Sequence, residues 1–140
     1  MKQYFSFQWH ITDECDQRCK HCYIFSEDNC KKLDAMTWEQ IQQTFYNCLD
    51  FCKVYDRFPY FYLTGGDPIL HPNFWKLLAL MKEHQIPFTI LGNPFHLNDE
   101  TCRRMKEYGC VEIPALSGWN AKDSRLVPQA GKLLTLRWRK

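Results

Sequence analysis

At 140 residues, with 45% apolar and 16% aromatic content, the chain is one small domain or part of a larger one and not a disordered polypeptide. Its apolar runs fall far short of the ~20 residues of a membrane span, and Met1-Lys2-Gln3-Tyr4 lacks the apolar stretch of a signal peptide, so a cytoplasmic protein without membrane or nucleic-acid partners is expected. The net charge of +2 is uneven: residues 1–115 carry 12 Lys/Arg against 15 Asp/Glu, while residues 116–140 carry six against Asp123 alone.

Taken in chain order, Tyr4 to Thr12 (YFSFQWHIT) is β-rich and has the length of one strand. Thr37 is an N-cap with Gln40 three residues on, and Trp38, Ile41, Phe45, Cys48 and Cys52 then mark one face of a helix over 37–52. Phe58 to Leu63 is a short apolar run ended by Gly65-Gly66, which predicts a buried strand with Pro59 near its start. His71-Pro72-Asn73 opens a helix with Phe74, Leu77, Leu78 and Met81 as its apolar face. Residues 86–91 form a third strand, closed by Gly92-Asn93-Pro94. Asn98 caps a helix over 99–108 that Gly109 ends, and Val111 opens a fourth strand. This alternation calls for parallel strands with right-handed crossovers.

Eight cysteines in a chain without an export signal favour metal ligation or redox chemistry over disulfides. Cys15, Cys19 and Cys22 form a C-x3-C-x2-C cluster directly after the first strand. Thiolates suit zinc, copper(I) and iron–sulfur clusters. A structural zinc or an electron-transferring [4Fe–4S] cluster takes four protein ligands, so three close cysteines leave one iron open for a cofactor. Zinc held by the three cysteines with His10 or His21 is the competing reading of the motif, and disulfides are a further one. Cys48 and Cys52 share the apolar face of their helix and are expected to pack as small hydrophobes. Cys30, Cys102 and Cys110 have no partner pattern, and His71 and His96 read as surface or capping residues. Trp9, Phe45 and Trp75 read as core.

The cysteine spacing, followed by Tyr23, resembles the signature of the radical S-adenosylmethionine (SAM) superfamily. The resemblance implies that Cys15, Cys19 and Cys22 hold a [4Fe–4S] cluster whose open iron chelates SAM. It further implies cleavage of SAM to a 5′-deoxyadenosyl radical that abstracts hydrogen from a substrate, with the cofactor carrying the chemistry. His21, just before the third cysteine, would lie near the adenine, and Tyr23 would border the cofactor. Thr64-Gly65-Gly66-Asp67-Pro68 after the second strand is similar to the family's GGEP motif, with Asp67 in place of Glu. Gly65, Gly66, Asp67 and Pro68 would then line the SAM site, on the same C-terminal face of a parallel barrel as the cysteines. Alone, a Gly-Gly-Asp-Pro segment is an ordinary turn; it gains weight from its joint occurrence with the cysteines.

The implied fold is α/β: the N-terminal βα units of a truncated partial (β/α)6 TIM-like barrel, with a core part over 1–112 and an atypical basic tail over 113–140. The tail lacks the family's Ser-Leu-Asp-Gly type segment. Reading Ile113 to Leu134 one base later, with permitted codons, gives FQLSLDGMQKTHDWFRKPGSF, so an out-of-frame tail is expected. Such a chain would lack the later strands that complete the pocket, which leaves its turnover open. WHIT-x-x-C-x3-C-x2-CY and TGGDP-x-L-x-P most resemble maturases of ribosomally made peptides that carry a SPASM domain. That resemblance implies a peptide or protein substrate and an electron donor such as a flavodoxin or ferredoxin. The alternatives are a small zinc-binding module or a nonfunctional truncated product.

Overall fold

The computed structural model describes residues 1–19, 22–25, 34–92, 96–115 and 134–137. Strands β1 (Gln3–Thr12), β2 (Arg57–Gly65), β3 (Phe88–Ile90) and β4 (Cys110–Ala115) pair in parallel in chain order. Helices α1 (Trp38–Val54), α2 (Phe74–Glu83) and α3 (Asp99–Glu107) make the three connections between them. This is the expected βα alternation of a partial barrel.

The caps expected from the sequence are formed. The Thr37 hydroxyl accepts from the Gln40 N–H at 3.2 Å, and the Gln40 side chain accepts from the Thr37 N–H at 2.9 Å, closing the capping box on α1. Asn98 caps α3 through the Thr101 N–H at 2.9 Å. Gly109 adopts φ +95° after α3, a conformation that a side chain disfavours.

Strand alternation decides which face is covered. Phe7, Trp9, Ile11, Phe61, Leu63, Phe88 and Ile90 lie on the helix side and form one cluster with Ile41, Phe45, Phe74, Leu77, Leu78, Met81 and Met105. Phe7 and Phe45 both stack on Phe61, with centroids 5.3 and 5.8 Å away. Trp75, expected in the core, packs at its margin between Arg104 and Tyr108. Cys52 is buried and Cys48 half-buried; burial, and then the neighbouring Cys52, pushes the Cys48 thiol up to about 11. Both therefore stay protonated and pack as small hydrophobes. On the opposite face Tyr4, Tyr60 and Tyr62 form an aromatic row, and the Tyr60 hydroxyl bonds that of Thr89 at 2.6 Å.

Two features depart from the expected elements. β3 is shorter than 86–91: the Ile86 N–H closes α2 on the Met81 carbonyl at 2.8 Å, and Pro87 has no N–H for a ladder. Within the tail, β5 (Leu134–Arg137) pairs antiparallel with β4, setting Glu112 opposite Arg137 and Ala115 opposite Leu134. Residues 116–133 and 138–140 of the tail lie outside the described residues. No helix among the described residues is long and apolar enough to cross a membrane.

Candidate SAM and iron–sulfur site

The C-terminal ends of β1 and β2 bring the cysteine loop and the glycine loop together. The register slips between His10 and Thr12, so Thr12 pairs with Gly65. Beyond that pair, the Gly66 N–H donates to the Thr12 carbonyl and the Asp67 N–H to the Glu14 carbonyl, both at 2.7 Å. The glycine loop is thus zipped onto the segment that leads directly into Cys15. The glycines permit this approach: a Cβ on Gly65 would sit 2.2 Å from the Thr12 carbonyl oxygen, and one on Gly66 2.2 Å from that of Glu14.

After this zipper the chain turns through the cysteines. Cys15 and Cys22 are half-buried and Cys19 is exposed, and none of the three is in a disulfide. The Arg18 guanidinium donates to the carbonyls of Cys15 (2.7 Å) and Gln17 (2.8 Å) and lies 4.0 Å over the Phe25 ring. The Cys22 N–H donates to the Cys19 carbonyl at 3.0 Å. A short 3-10 turn, Tyr23–Phe25, follows, anchored by buried Ile24. His10 links both flanks of this loop: its Nε2 meets Asp13 Oδ1 at 2.5 Å and its Nδ1 faces the Tyr23 hydroxyl at 3.5 Å. An ionised carboxylate only accepts, so Nε2–H is the donor to Asp13. His21 and Cys30 lie outside the described residues, as does Asn93.

Asp67 is, with Asp13, one of two buried carboxyl side chains of the site. It is only 2% exposed; Oδ1 accepts from the Ile69 N–H at 3.4 Å, while Oδ2 has no partner among the described residues. Burial pushes its carboxyl up to about 6, partly offset by the Ile69 N–H and His96, while Asp16 adds to the rise. A 3-10 turn, Pro68–Leu70, starts at this residue, with Pro68 buried at its first position. Gly92 closes the far side, since a Cβ there would lie 2.9 Å from Asp67 Oδ1.

The titration has a sign that can be measured. A carboxyl raised in the folded state contributes stability that is full below about pH 4, its unfolded value, and is lost as pH rises through about 6. His71 works in the opposite direction. Expected at the surface or as a cap, it is buried; Nδ1 accepts from the Asn73 N–H at 3.0 Å, so Nε2–H donates to the Met36 carbonyl at 3.0 Å. Burial lowers its pKa, so its contribution is lost as pH falls below about 6.5. Asp67→Asn isolates the first effect: urea melts should show the variant gaining on the order of 2 kcal/mol over the parent at pH 7 and little at pH 4.

Two residues that the sequence did not single out for the site, Asp16 and His96, join Asp67 here. Asp16, Asp67 and His96 place one ligand atom each within 4.8 Å of one another, and His96 Nε2 meets Asp16 Oδ2 at 2.7 Å. Expected at the surface or as a cap, His96 instead bridges 80 residues of sequence. No spacing rule could have found this pair, because it exists only when the exits of β1 and β3 share one face.

The donor chemistry fits an iron–sulfur cluster: three thiols on one loop leave one iron without a protein ligand, where a cofactor can bind. The orphaned Asp67 oxygen beside that loop suits a cationic group of a bound cofactor.

Comparison with known proteins agrees with this arrangement. Mycofactocin maturase MftC of Mycobacterium ulcerans (strain Agy99) is 26% identical over 126 residues, covering 88% of this chain and 32% of that protein. An S-adenosylmethionine-dependent nucleotide dehydratase of Fibrobacter sp. (strain UWH6) is 22% identical over 102 residues, covering 64% of this chain and 27% of that protein. The chain thus spans about a third or less of the length of these relatives. The crystal structure of BtrN in complex with AdoMet and 2-DOIA superposes with a TM-score of 0.65 at 14% identity, covering 87% of this chain and 50% of that one, and supports the fold. The Radical SAM superfamily profile matches residues 9–117, most of the chain and all of both motifs, and the chain belongs to that superfamily.

Proposed function

We propose that this chain holds a [4Fe–4S] cluster on Cys15, Cys19 and Cys22 and binds SAM between that cluster and the Gly65–Pro68 loop, as the front part of a peptide-modifying enzyme. The observation that carries this reading is the zipper of two 2.7 Å backbone bonds, which fixes the cysteine loop and the glycine loop side by side at one end of the sheet. Superfamily membership implies both cofactors. When bound, they supply an electron that cleaves SAM and a 5′-deoxyadenosyl radical that abstracts hydrogen from the substrate.

The chain's own residues do the positioning. Asp67 offers a buried, unsatisfied carboxylate oxygen to the methionyl ammonium group, which would satisfy it and lower its pKa. Gly65, Gly66 and Pro68 keep the backbone close to the cysteine loop, so the ligand is held from both sides. Tyr23, bonded back to His10, would border the adenine, as would His21 by its place in the sequence just before Cys22. Substrate class rests on the maturase relative and on the WHIT and TGGDP segments: a peptide or protein, with a flavodoxin or ferredoxin as electron donor, in a reducing cytoplasm. We take residues 1–112 as the core part and 113–140 as a basic tail, of which 113–115 complete β4 and Leu134–Arg137 add β5 to the sheet; turnover by the 140 residues alone is a separate question from cofactor binding.

Anaerobic reconstitution with iron and sulfide tests the reading. The expected result is broad visible absorption, about four irons per chain and a change in the reduced cluster's EPR signal on adding SAM. Stoichiometric zinc in place of iron, or an EPR signal indifferent to SAM, overturns it.

A further inference from the structure

We infer that His96 is a positioning residue: through Asp16 it clamps the cysteine loop against the exit of β3 and so sets the approach of Cys15 to Asp67. This rests on the cofactor reading above and extends it to residues outside both motifs.

Three strand exits supply the parts. Asp16 belongs to the loop after β1, Asp67 to the loop after β2, and His96 to the segment after β3; their ligand atoms lie within 4.8 Å of one another. The backbone zipper ends at Glu14, before the first cysteine. From Cys15 onward, the Arg18 and Cys22 bonds act within the loop, whereas the 2.7 Å His96–Asp16 bond reaches across the sheet. Arg18 fixes the loop's internal shape and the His10–Tyr23 contact holds its far end to β1, while the His96–Asp16 bond acts next to Cys15 and ties that end of the loop to the segment after β3.

Electrostatics gives His96 a second task. Asp16 and Asp67 are two carboxylates at close range, one of them buried, and they repel. Without His96, Asp16 would swing outward to solvent and carry its neighbour Cys15 with it. An imidazole N–H on Asp16 Oδ2 holds that carboxylate in place and offsets the repulsion. The clamp therefore keeps Asp16 near Asp67 without asking Asp67 to become protonated.

The test uses the 140-residue chain with His96→Leu, His96→Gln and Asp16→Asn. In the cofactor-free protein, iodoacetamide labelling of Cys15 is followed by mass spectrometry against half-buried Cys102 on α3 as reference. His96→Leu should label Cys15 about fivefold faster relative to Cys102, the effect of losing one hydrogen bond, whereas His96→Gln, which keeps a donor, should stay within about twofold of the parent. Asp16→Asn, which keeps an acceptor, should resemble the glutamine variant. After reconstitution, SAM affinity read from the EPR change should fall about tenfold in His96→Leu and recover in His96→Gln.

Equal labelling of Cys15 in all variants overturns the clamp, as does faster labelling of Cys15 and Cys102 alike, which would mean general loosening of the fold. A parent chain that labels as expected but takes up no iron leaves the clamp standing and sinks the cofactor reading. The two failures are therefore distinguishable.

Discussion

Alanine at any one of Cys15, Cys19 or Cys22 is expected to take iron after anaerobic reconstitution from about four per chain to well under one, with loss of the visible absorption. In the proposed reading each thiolate would hold a different iron, and no other cysteine among the described residues stands ready to replace it. Cys48 and Cys52 lie on the core side of α1, Cys102 on α3, and Cys110 is buried at the start of β4, the end of the sheet away from the site. Burial raises the thiols of Cys48, Cys52 and Cys102, which disfavours the thiolate that iron requires. The same three substitutions should leave cofactor-free stability within about 0.5 kcal/mol of the parent, because these side chains are half-buried or exposed on a loop. Cys52→Ala or Cys110→Ala gives the opposite pattern: about 1 kcal/mol of lost packing in a urea melt, with iron uptake retained. If Cys52→Ala instead abolished iron uptake while Cys15→Ala preserved it, the cluster would have to be placed elsewhere.

The contrast between those two groups was legible in the sequence because it is a matter of local pattern. Three cysteines over eight residues after a β-rich run stand on a loop, and two cysteines four apart on an apolar face stand in a core. The parallel order was legible for the same reason: capping residues Thr37 and Asn98, the Phe58–Leu63 run and its terminal glycines each carry a local signal. What escaped depends on strand ends meeting. The His96–Asp16 pair and the Thr12–Gly66 bond join residues that no period connects. β5 escaped although Leu134-Thr135-Leu136-Arg137 alternates apolar and polar, because four residues are a short signal at the end of a basic segment, and its pairing with β4 is made at the open sheet edge.

The glycines changed their reason. From sequence, Gly65 and Gly66 are expected to line the SAM site. In the structure each comes close to the backbone of the cysteine loop, and that contact precedes any ligand. Proximity to the cofactor is thus a consequence of proximity between the two loops, a distinction that substitution at Gly66 can expose.

Gly66→Ala is expected to cost about 3 kcal/mol or more in a urea melt of the cofactor-free chain, and to prevent cluster assembly as well. Its new Cβ would lie 2.2 Å from the Glu14 carbonyl oxygen, 2.6 Å from the Glu14 carbonyl carbon and 2.7 Å from the Asp13 carbonyl oxygen. All three are backbone atoms, so no rotamer change relieves the overlap. Relief requires the loops to part by about 1 Å, enough to break bonds of hydrogen-bond length. The bonds at stake are Gly66 N–H to Thr12 and Asp67 N–H to Glu14, and with them goes the seat of Cys15 beside Asp67. Gly109→Ala supplies the control. Gly109 has φ +95°, but a Cβ there would meet nothing within 4 Å, so alanine carries backbone strain alone, about 1–2 kcal/mol, and should still assemble the cluster. Equal losses of stability in the two variants would mean that the contact between loops is not what makes Gly66 necessary, since Gly66, unlike Gly109, carries no positive φ. A larger loss at Gly66, joined to loss of iron, makes the motif's first duty the building of the floor on which the cysteines stand.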